Sequence, residues 1–286
     1  MKRFIKNTLA RAANTGWLWP VFSFLRKIQR KLGALCTYVE RQRRTGVSED
    51  LKSKILREQF QDLTVKNGIF AGLKYPDAEA TGSALLPKLL GSYEVEVEPF
   101  FHKARTKTYG HIIDIGCAEG YYAVGLARVF PDARVHAYDV DAGARAMCQR
   151  MAAANGIGER LSMGAFCEPK TLKEMALDAP ALIVSDCEGY EEVLFDREMA
   201  VHLTMHDIVI ECHDYKAPGM SDRIAASFSE THDVSEVIST PDYLKAHDLE
   251  LPQMAPYNAE IRTFMVEESR GFPQKWLFLE ARPQPN

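Results

Sequence analysis

Between residues 111 and 212, short apolar runs alternate with stretches of helical periodicity, and this rhythm constrains the fold more than any other feature. Strands are expected at His111–Ile115, Arg134–Asp139, Leu161–Phe166, Ala181–Asp186 and Asp207–Cys212. Helices are expected between them, near Glu119–Phe130, Ala142–Asn155, Thr171–Leu177 and Glu188–Met199. Pro131 stops the first helix, and Gly156 can cap the second in the left-handed conformation. Parallel strands need such crossovers, and crossovers of this kind are right-handed, so the alternation specifies βαβ units and a parallel sheet. The runs IIDI, ALIV and IVIE are continuously apolar, as strands are when helices cover both faces. A helix near Ser221–Phe228 and strands at Asp233–Ile238 and Trp276–Ala281 continue the pattern. The segment between those last strands, rich in Pro, His and Tyr, is expected to supply substrate-contacting loops.

Upstream the rhythm is different. Residues 1–60 read as a basic amphipathic helical extension, with an excess of roughly ten positive charges. Residues 61–110 read as a connecting or cap region, with turn signals such as Asn67-Gly68 and a helix around Tyr93–Arg105. The α/β domain then occupies residues 111–286. With a formal net charge of -4 overall, a basic extension leaves the body acidic. An acidic body argues against nucleic acid as partner, because phosphate backbones are bound mainly by clustered Lys and Arg. The apolar stretch GWLWPVFSFL at 16–25 is interrupted by Pro20 and falls short of the about 20 residues that a bilayer crossing needs. Its Trp and Lys/Arg pattern suits peripheral contact of residues 1–45 with the inner face of a membrane, but a helical extension packed on the body or on a second subunit, with a solvated basic face, is the favoured reading. Cys36, Cys117, Cys148, Cys167, Cys187 and Cys212 contain no CxxC pair, so a reduced, cytoplasmic protein is expected.

Open α/β sheets bind ligands beyond the carboxyl ends of their strands. The first strand ends in Asp114-Ile-Gly116-Cys117-Ala-Glu119-Gly120-Tyr121. Gly116 permits a sharp turn, and Gly120 permits close approach of helix and ligand. The GxxxG spacing lacks the third glycine of a pyrophosphate loop, and Asp114 and Glu119 would repel a pyrophosphate. These acids suit a ligand carrying a sulfonium and an ammonium group. Asp139, followed by Val140, closes the second strand, where an acid accepts hydrogen bonds from ribose hydroxyls. Ala165 and Phe166 end the third strand and can flank an adenine.

DIGCAEG at 114–120 and AYDVD at 137–141 resemble the first two motifs of class I S-adenosylmethionine-dependent methyltransferases. Asp186-Cys-Glu188-Gly-Tyr-Glu191 resembles the DxEGxE signature of FkbM-type methyltransferases, and IVIECHD at 208–214 is similar to that family's next strand. The resemblance spans about residues 90–282. It implies a Rossmann-like seven-stranded, mostly parallel sheet in the order 3-2-1-4-5-7-6, strand 7 being antiparallel. It also implies S-adenosylmethionine as cofactor and methyl transfer to a hydroxyl of a sugar, glycan, lipid-linked or secondary-metabolite acceptor. Ser185 departs from the Lys or Ile usual at that position.

An alcohol acceptor needs a base near its hydroxyl. The candidates are His213, whose unperturbed pKa suits the task; Asp186, at the end of the fourth strand; and Glu188, expected to begin a helix. Asp186, Glu188, Glu211, His213 and Asp214 offer an alternative, convergence on Mg²⁺ or Mn²⁺ that would orient the acceptor. Tyr121, Tyr122, Tyr190 and Tyr215 are candidates for an acceptor pocket or for the core. Two competing functions remain. One is a methyltransferase of protein or nucleic acid, opposed by the acidic body and the lack of an Asn-Pro-Pro-Tyr-type motif. The other is a methyltransferase-fold binding protein without turnover.

Overall fold

The computed structural model describes residues 49–283, apart from 82 and 269. The chain divides into two units, Met1–Glu58 and Gln59–Asn286. In the first, the described residues 49–58 are helical, whereas the Trp- and Arg-rich stretch and the membrane contact expected of residues 1–45 lie outside the described residues. No helix among the described residues is long and apolar enough to cross a membrane.

In the second unit, seven strands form one sheet. They are β1 (His111–Ile115), β2 (Arg134–Tyr138), β3 (Leu161–Gly164), β4 (Ala181–Ser185), β5 (Asp207–Cys212), β6 (His232–Ile238) and β7 (Lys275–Ala281). Their order is β3-β2-β1-β4-β5-β7-β6. The first five are parallel, and β7 runs antiparallel between β5 and β6. This is the strand order, with β7 antiparallel, that the resemblance implies. Every residue of β1, β4 and β5 is buried, which is why those runs are uninterruptedly Ile, Val and Leu around a few polar residues. On one face Ile113, Ile183 and Ile208 pack against Leu194, Phe195, Met199 and Phe228. Truncating one of these isoleucines to alanine costs about 2–5 kcal/mol by cavity formation.

Helix α1 (Leu85–Leu90) and helix α2 (Glu98–Ala104) precede the sheet, and α3 (Tyr121–Val129), α4 (Ala142–Ala154) and α5 (Pro169–Glu174) are crossovers. The helix expected at Glu188–Met199 is instead two short ones, α6 (Glu191–Leu194) and α7 (Arg197–His202). Two local causes divide it. Glu188 and Gly189 both adopt positive φ, 57° and 104°, which no helix accommodates. Asp196 starts α7 afresh, its Oδ1 accepting from Met199 N at 2.7 Å. Glu188 therefore lies in a loop, and the expectation that it begins a helix is corrected. Helix α8 (Met220–Phe228) follows β5 as expected.

The segment between β6 and β7 also differs from its reading as loops. It contains α9 (Asp242–Asp248) and α10 (Ala259–Val266), the latter capped by Asn258 Oδ1, which accepts from Ile261 N at 3.0 Å. These helices bury Met254, Met265, Val266 and the whole of Lys245.

Candidate functional site

The carboxyl ends of β1, β2 and β4, with the residues just past β3, enclose a cleft of about 250 Å³. At its floor the chain leaves β1 through Gly116, with φ 87°. A Cβ there would lie 1.7 Å from the carbonyl oxygen of Asp186, so only glycine lets the ends of β1 and β4 meet. The N–H groups of Gly116 and Cys117 both donate to Tyr138 O, at 2.8 and 2.9 Å, and tie the loop to β2. Asp139 is then gripped from two sides: Oδ2 accepts from Ala118 N at 2.9 Å and Oδ1 from Asp141 N at 2.8 Å. Each oxygen keeps a lone pair for a further donor, the arrangement that a vicinal diol requires. Beyond Asp139, Val140, Ala165 and Phe166 form an exposed apolar slot, and Phe166 packs against Tyr190 with centroids 5.2 Å apart. Such a slot suits a flat heterocycle.

Of the residues singled out for cofactor contact, Gly116, Cys117, Tyr121, Asp139, Val140, Ala165, Phe166 and Asp186 line the cleft. Asp114, Glu119 and Gly120 do not. Asp114 is sealed beneath the loop, and burial pushes its carboxyl up to about 7. Glu119 turns away and receives Lys88 Nζ at 2.5 Å, Tyr75 OH at 3.1 Å and Thr81 N at 3.1 Å. Its direct contact with a cationic ligand is corrected: its charge is already neutralised within the protein. Gly120 instead permits close packing, since a Cβ there would meet Cys148 Sγ at 2.8 Å. Residues 81, 83, 88 and 93, from the cap region, also line the cleft and carried no motif that marked them.

The opposite end of the cleft is built from acids. Asp186 faces it directly, and its Oδ1 has no hydrogen-bond partner. Burial, reinforced by the nearby charge of Glu94, pushes its carboxyl up to about 7. Behind Asp186 stands His213, 2% exposed, with Nε2 3.6 Å from both Asp186 Oδ1 and Glu188 Oε2. His213 Nδ1 donates to Glu191 Oε1 at 2.7 Å. Glu191 is fully buried, and the same oxygen accepts from Cys187 N at 3.3 Å and Gly189 N at 3.1 Å. Burial disfavours the imidazolium, but the hydrogen bond and charge of Glu191 more than offset this and raise the His213 pKa. Glu191 is thus a site residue that the search for bases missed, although the last acid of DxEGxE marked its position.

Glu188 lines the cleft but is largely exposed and is paired with Lys216. Glu211 is buried at the end of β5 and bound by Arg270, which also holds Glu94 and, at 2.8 Å, Glu268. Burial pushes Glu94 and Glu211 up to about 8. Donor atoms of Asp186, Glu211 and His213 lie within 4.8 Å of one another. Asp214, proposed with them, accepts instead from Ser221 N at 3.1 Å, ahead of α8, and stays outside this cluster. Tyr215 is exposed and stacks on Phe272, with centroids 5.6 Å apart.

Comparison with known proteins bears on the same region. Residues 98–180 match the family model described as methyltransferase small domain. A release factor glutamine methyltransferase from Synechocystis sp. is 30% identical over 95 residues, 32% of this chain and 32% of that protein. The chain thus matches about a third of the length of that curated relative. Among solved structures, precorrin-6y C5,15-methyltransferase from Geobacter metallireducens superposes with a TM-score of 0.43 at 12% identity, over 66% of this chain and 88% of that one. A methyltransferase from Geobacter sulfurreducens, solved with S-adenosylhomocysteine, gives 0.41 at 16% identity, over 65% and 90%.

Proposed function

We propose that this chain is an S-adenosylmethionine-dependent methyltransferase acting on a hydroxyl of a sugar, glycan, lipid-linked or secondary-metabolite acceptor. The observation that supports this reading is the pairing of two ends in one cleft: Asp139, each oxygen of which accepts one backbone N–H and can take a diol donor besides, and Asp186, whose Oδ1 has no hydrogen-bond partner. The family model over residues 98–180 supports the methyltransferase part. The DxEGxE resemblance supports the choice of oxygen. The loop after β4, Asp186–Tyr190, carries none of the amide-binding Asn-Pro-Pro-Tyr pattern, which weighs against an amide acceptor such as the one named by the Synechocystis relative.

When bound, the cofactor supplies an electrophilic methyl on a sulfonium leaving group. The protein's part is to bind, orient and remove one proton. Asp139 fixes the ribose and the apolar slot receives the adenine, which directs the methyl toward Asp186. A carboxyl with a pKa of about 7 is well matched to accept the acceptor's proton near neutrality. His213, held by Glu191, stands behind Asp186 rather than in front of it, so it steadies Asp186 and offers the proton a second resting place. Titration calorimetry of S-adenosylmethionine into wild type and Asp139→Ala tests the first half: micromolar binding lost on substitution is expected. Transfer of a radiolabelled methyl to a panel of sugar and polyol acceptors tests the second. Binding without any transfer across such panels would favour a binding protein without turnover.

The convergence of Asp186, Glu211 and His213 favours one second reading, in which these residues hold Mg²⁺ or Mn²⁺ and the cation lowers the acceptor's pKa. His213 would then be a ligand, oriented through Glu191 as metal-bound histidines are by a neighbouring carboxylate. Turnover that survives exhaustive chelation supports the metal-free route; loss restored by Mn²⁺ supports the cation.

A further inference from the structure

We propose that Lys88 receives the carboxylate of the cofactor's methionyl tail, and that Glu119 acts by holding Lys88 in place. The inference rests on the reading of the cleft as an S-adenosylmethionine site and extends it to the end of the ligand for which no sequence motif spoke.

Charge complementarity is the starting point. S-adenosylmethionine carries two cationic groups, the sulfonium and the ammonium, and one anion, the carboxylate. Among the described residues that line the cleft, three are acids, Asp139, Asp186 and Glu188, and one is a cation, Lys88. A carboxylate placed near any of the acids would be repelled in a poorly solvated site, where charges are weakly screened. Lys88 is the one wall residue that attracts it.

The geometry around Lys88 fits that role. The residue sits on α1, and its side chain is 3% exposed, opening on the cleft rather than on bulk water. An ammonium has three donors, and one of them is given to Glu119 Oε1 at 2.5 Å. The rings of Tyr93 and Tyr121 lie 4.8 and 5.4 Å from Nζ and favour the charge without consuming a donor. Glu119 is itself held by Tyr75 OH and Thr81 N, so both its oxygens are engaged within the protein. Thr81 and Ser83 line the same end and add polar groups beside the ammonium.

A purely structural role explains less. Buried ion pairs are often no more stabilising than well-packed apolar residues of the same volume, so burial alone does not account for a lysine that opens on a cleft. A carboxylate arriving there would complete the partners of Lys88. It would also close the cap region over the tail of the ligand, leaving the methyl at the Asp186 end.

The test compares S-adenosylmethionine with decarboxylated S-adenosylmethionine, which lacks only the carboxylate and keeps both cations. Each is titrated calorimetrically into wild type and into the double variant Lys88→Met/Glu119→Gln, in which no buried charge is orphaned; thermal unfolding checks that the variant is folded. Wild type should prefer S-adenosylmethionine by about 10- to 100-fold, as a charge-assisted contact implies. The double variant should lose that preference, with the affinity for the decarboxylated ligand changed by about twofold or less. Equal weakening of both ligands, or a preference that survives in the variant, overturns the proposal while leaving the cofactor reading intact. If wild type binds neither ligand, the cofactor reading itself falls and this inference with it. Should the double variant not fold, wild type alone decides, since indifference to the carboxylate is incompatible with the assignment.

Discussion

The two ends of the cleft are held together in different ways. At the Asp139 end the contacts are local and made by backbone: a carboxylate at the tip of β2 takes N–H groups from Ala118 and Asp141, within 21 and 2 positions. At the Asp186 end the contacts are between side chains far apart in sequence. Arg270 reaches Glu94 across 176 positions and Glu211 across 59, and Lys245 pairs with both Glu96 and Glu268. A nucleoside is recognised by geometry that a strand end and a turn can supply. An acceptor site needs a particular charge balance, which only a folded network can hold.

The most damaging way to break the comparison is to separate the two ends. Gly116→Ala drives a Cβ into the Asp186 carbonyl in a backbone conformation that alanine resists. We expect a loss of more than about 3 kcal/mol in urea unfolding, or no folded protein at all. A loss under about 1 kcal/mol would show that β1 and β4 can part without harm.

Arg270→Met attacks the Asp186 end alone. It leaves Glu94, Glu211 and Glu268 without their shared guanidinium, at an expected cost that reaches about 3–5 kcal/mol above pH 8, where the acids must ionise. The pH dependence carries the mechanism. Glu94 and Glu211 have folded pKa values of about 8, above the usual carboxylate value of 4.5, so between these limits the folded state binds more protons than the unfolded one. Their contribution to stability is present below pH 4.5 and is lost as pH rises through about 8. Denaturation series should therefore slope downward from pH 5 to about 8 in both proteins and go on falling to pH 9 only in Arg270→Met, because loss of the guanidinium pushes both acids higher still. A penalty independent of pH would mean that Arg270 acts by packing and not by charge.

This contrast also decides what could be read from the chain. The strands β1 and β5 and the Asp139 turn were legible because each depends on neighbours in sequence: apolar runs, a glycine, an acid at a strand end; the sheet order came only from the family resemblance. The single helix expected after β4 failed because apolar periodicity says nothing of the positive φ at Glu188 and Gly189. Helices α9 and α10 were hidden among Pro, His and Tyr, since their burial is fixed by the contacts of Lys245 and Arg270. Glu119 was assigned to a ligand because its partner, Lys88, lies 31 positions upstream in a segment without a motif. The fold brings His213 and Asp186 together, yet which of them faces the cleft is a matter of packing depth, which residue type does not encode.

A smaller effect sharpens the Asp186 end. Glu191→Gln keeps the shape and the hydrogen bond from His213 but removes the charge that raises the His213 pKa. Cofactor affinity should hold within about twofold, while turnover falls roughly tenfold. The rate should rise with pH through the region near 7 set by Asp186, and the variant's inflection should move, because the imidazole beside Asp186 now loses its proton at lower pH. An unchanged pH profile with a reduced rate would reduce Glu191 to a packing residue.

The smallest expected effect belongs to Glu188, the middle acid of the same signature. Its side chain is 70% exposed and its partner Lys216 is 38% exposed, so water screens the pair. Exposed ion pairs contribute about 0–1 kcal/mol, and Glu188→Gln should change stability by no more than that. Turnover is the more informative readout. Glu188 lines the cleft and approaches His213 Nε2 at 3.6 Å, the same distance as Asp186, yet its side chain is 70% exposed where that of Asp186 is 33% exposed. If the acceptor end works through buried charge, Glu188→Gln should alter the acceptor KM several-fold and leave kcat nearly untouched. A collapse of kcat instead would move the proton-accepting role from the half-buried acid to the exposed one, and with it the claim that partial burial is what equips this end of the cleft for chemistry.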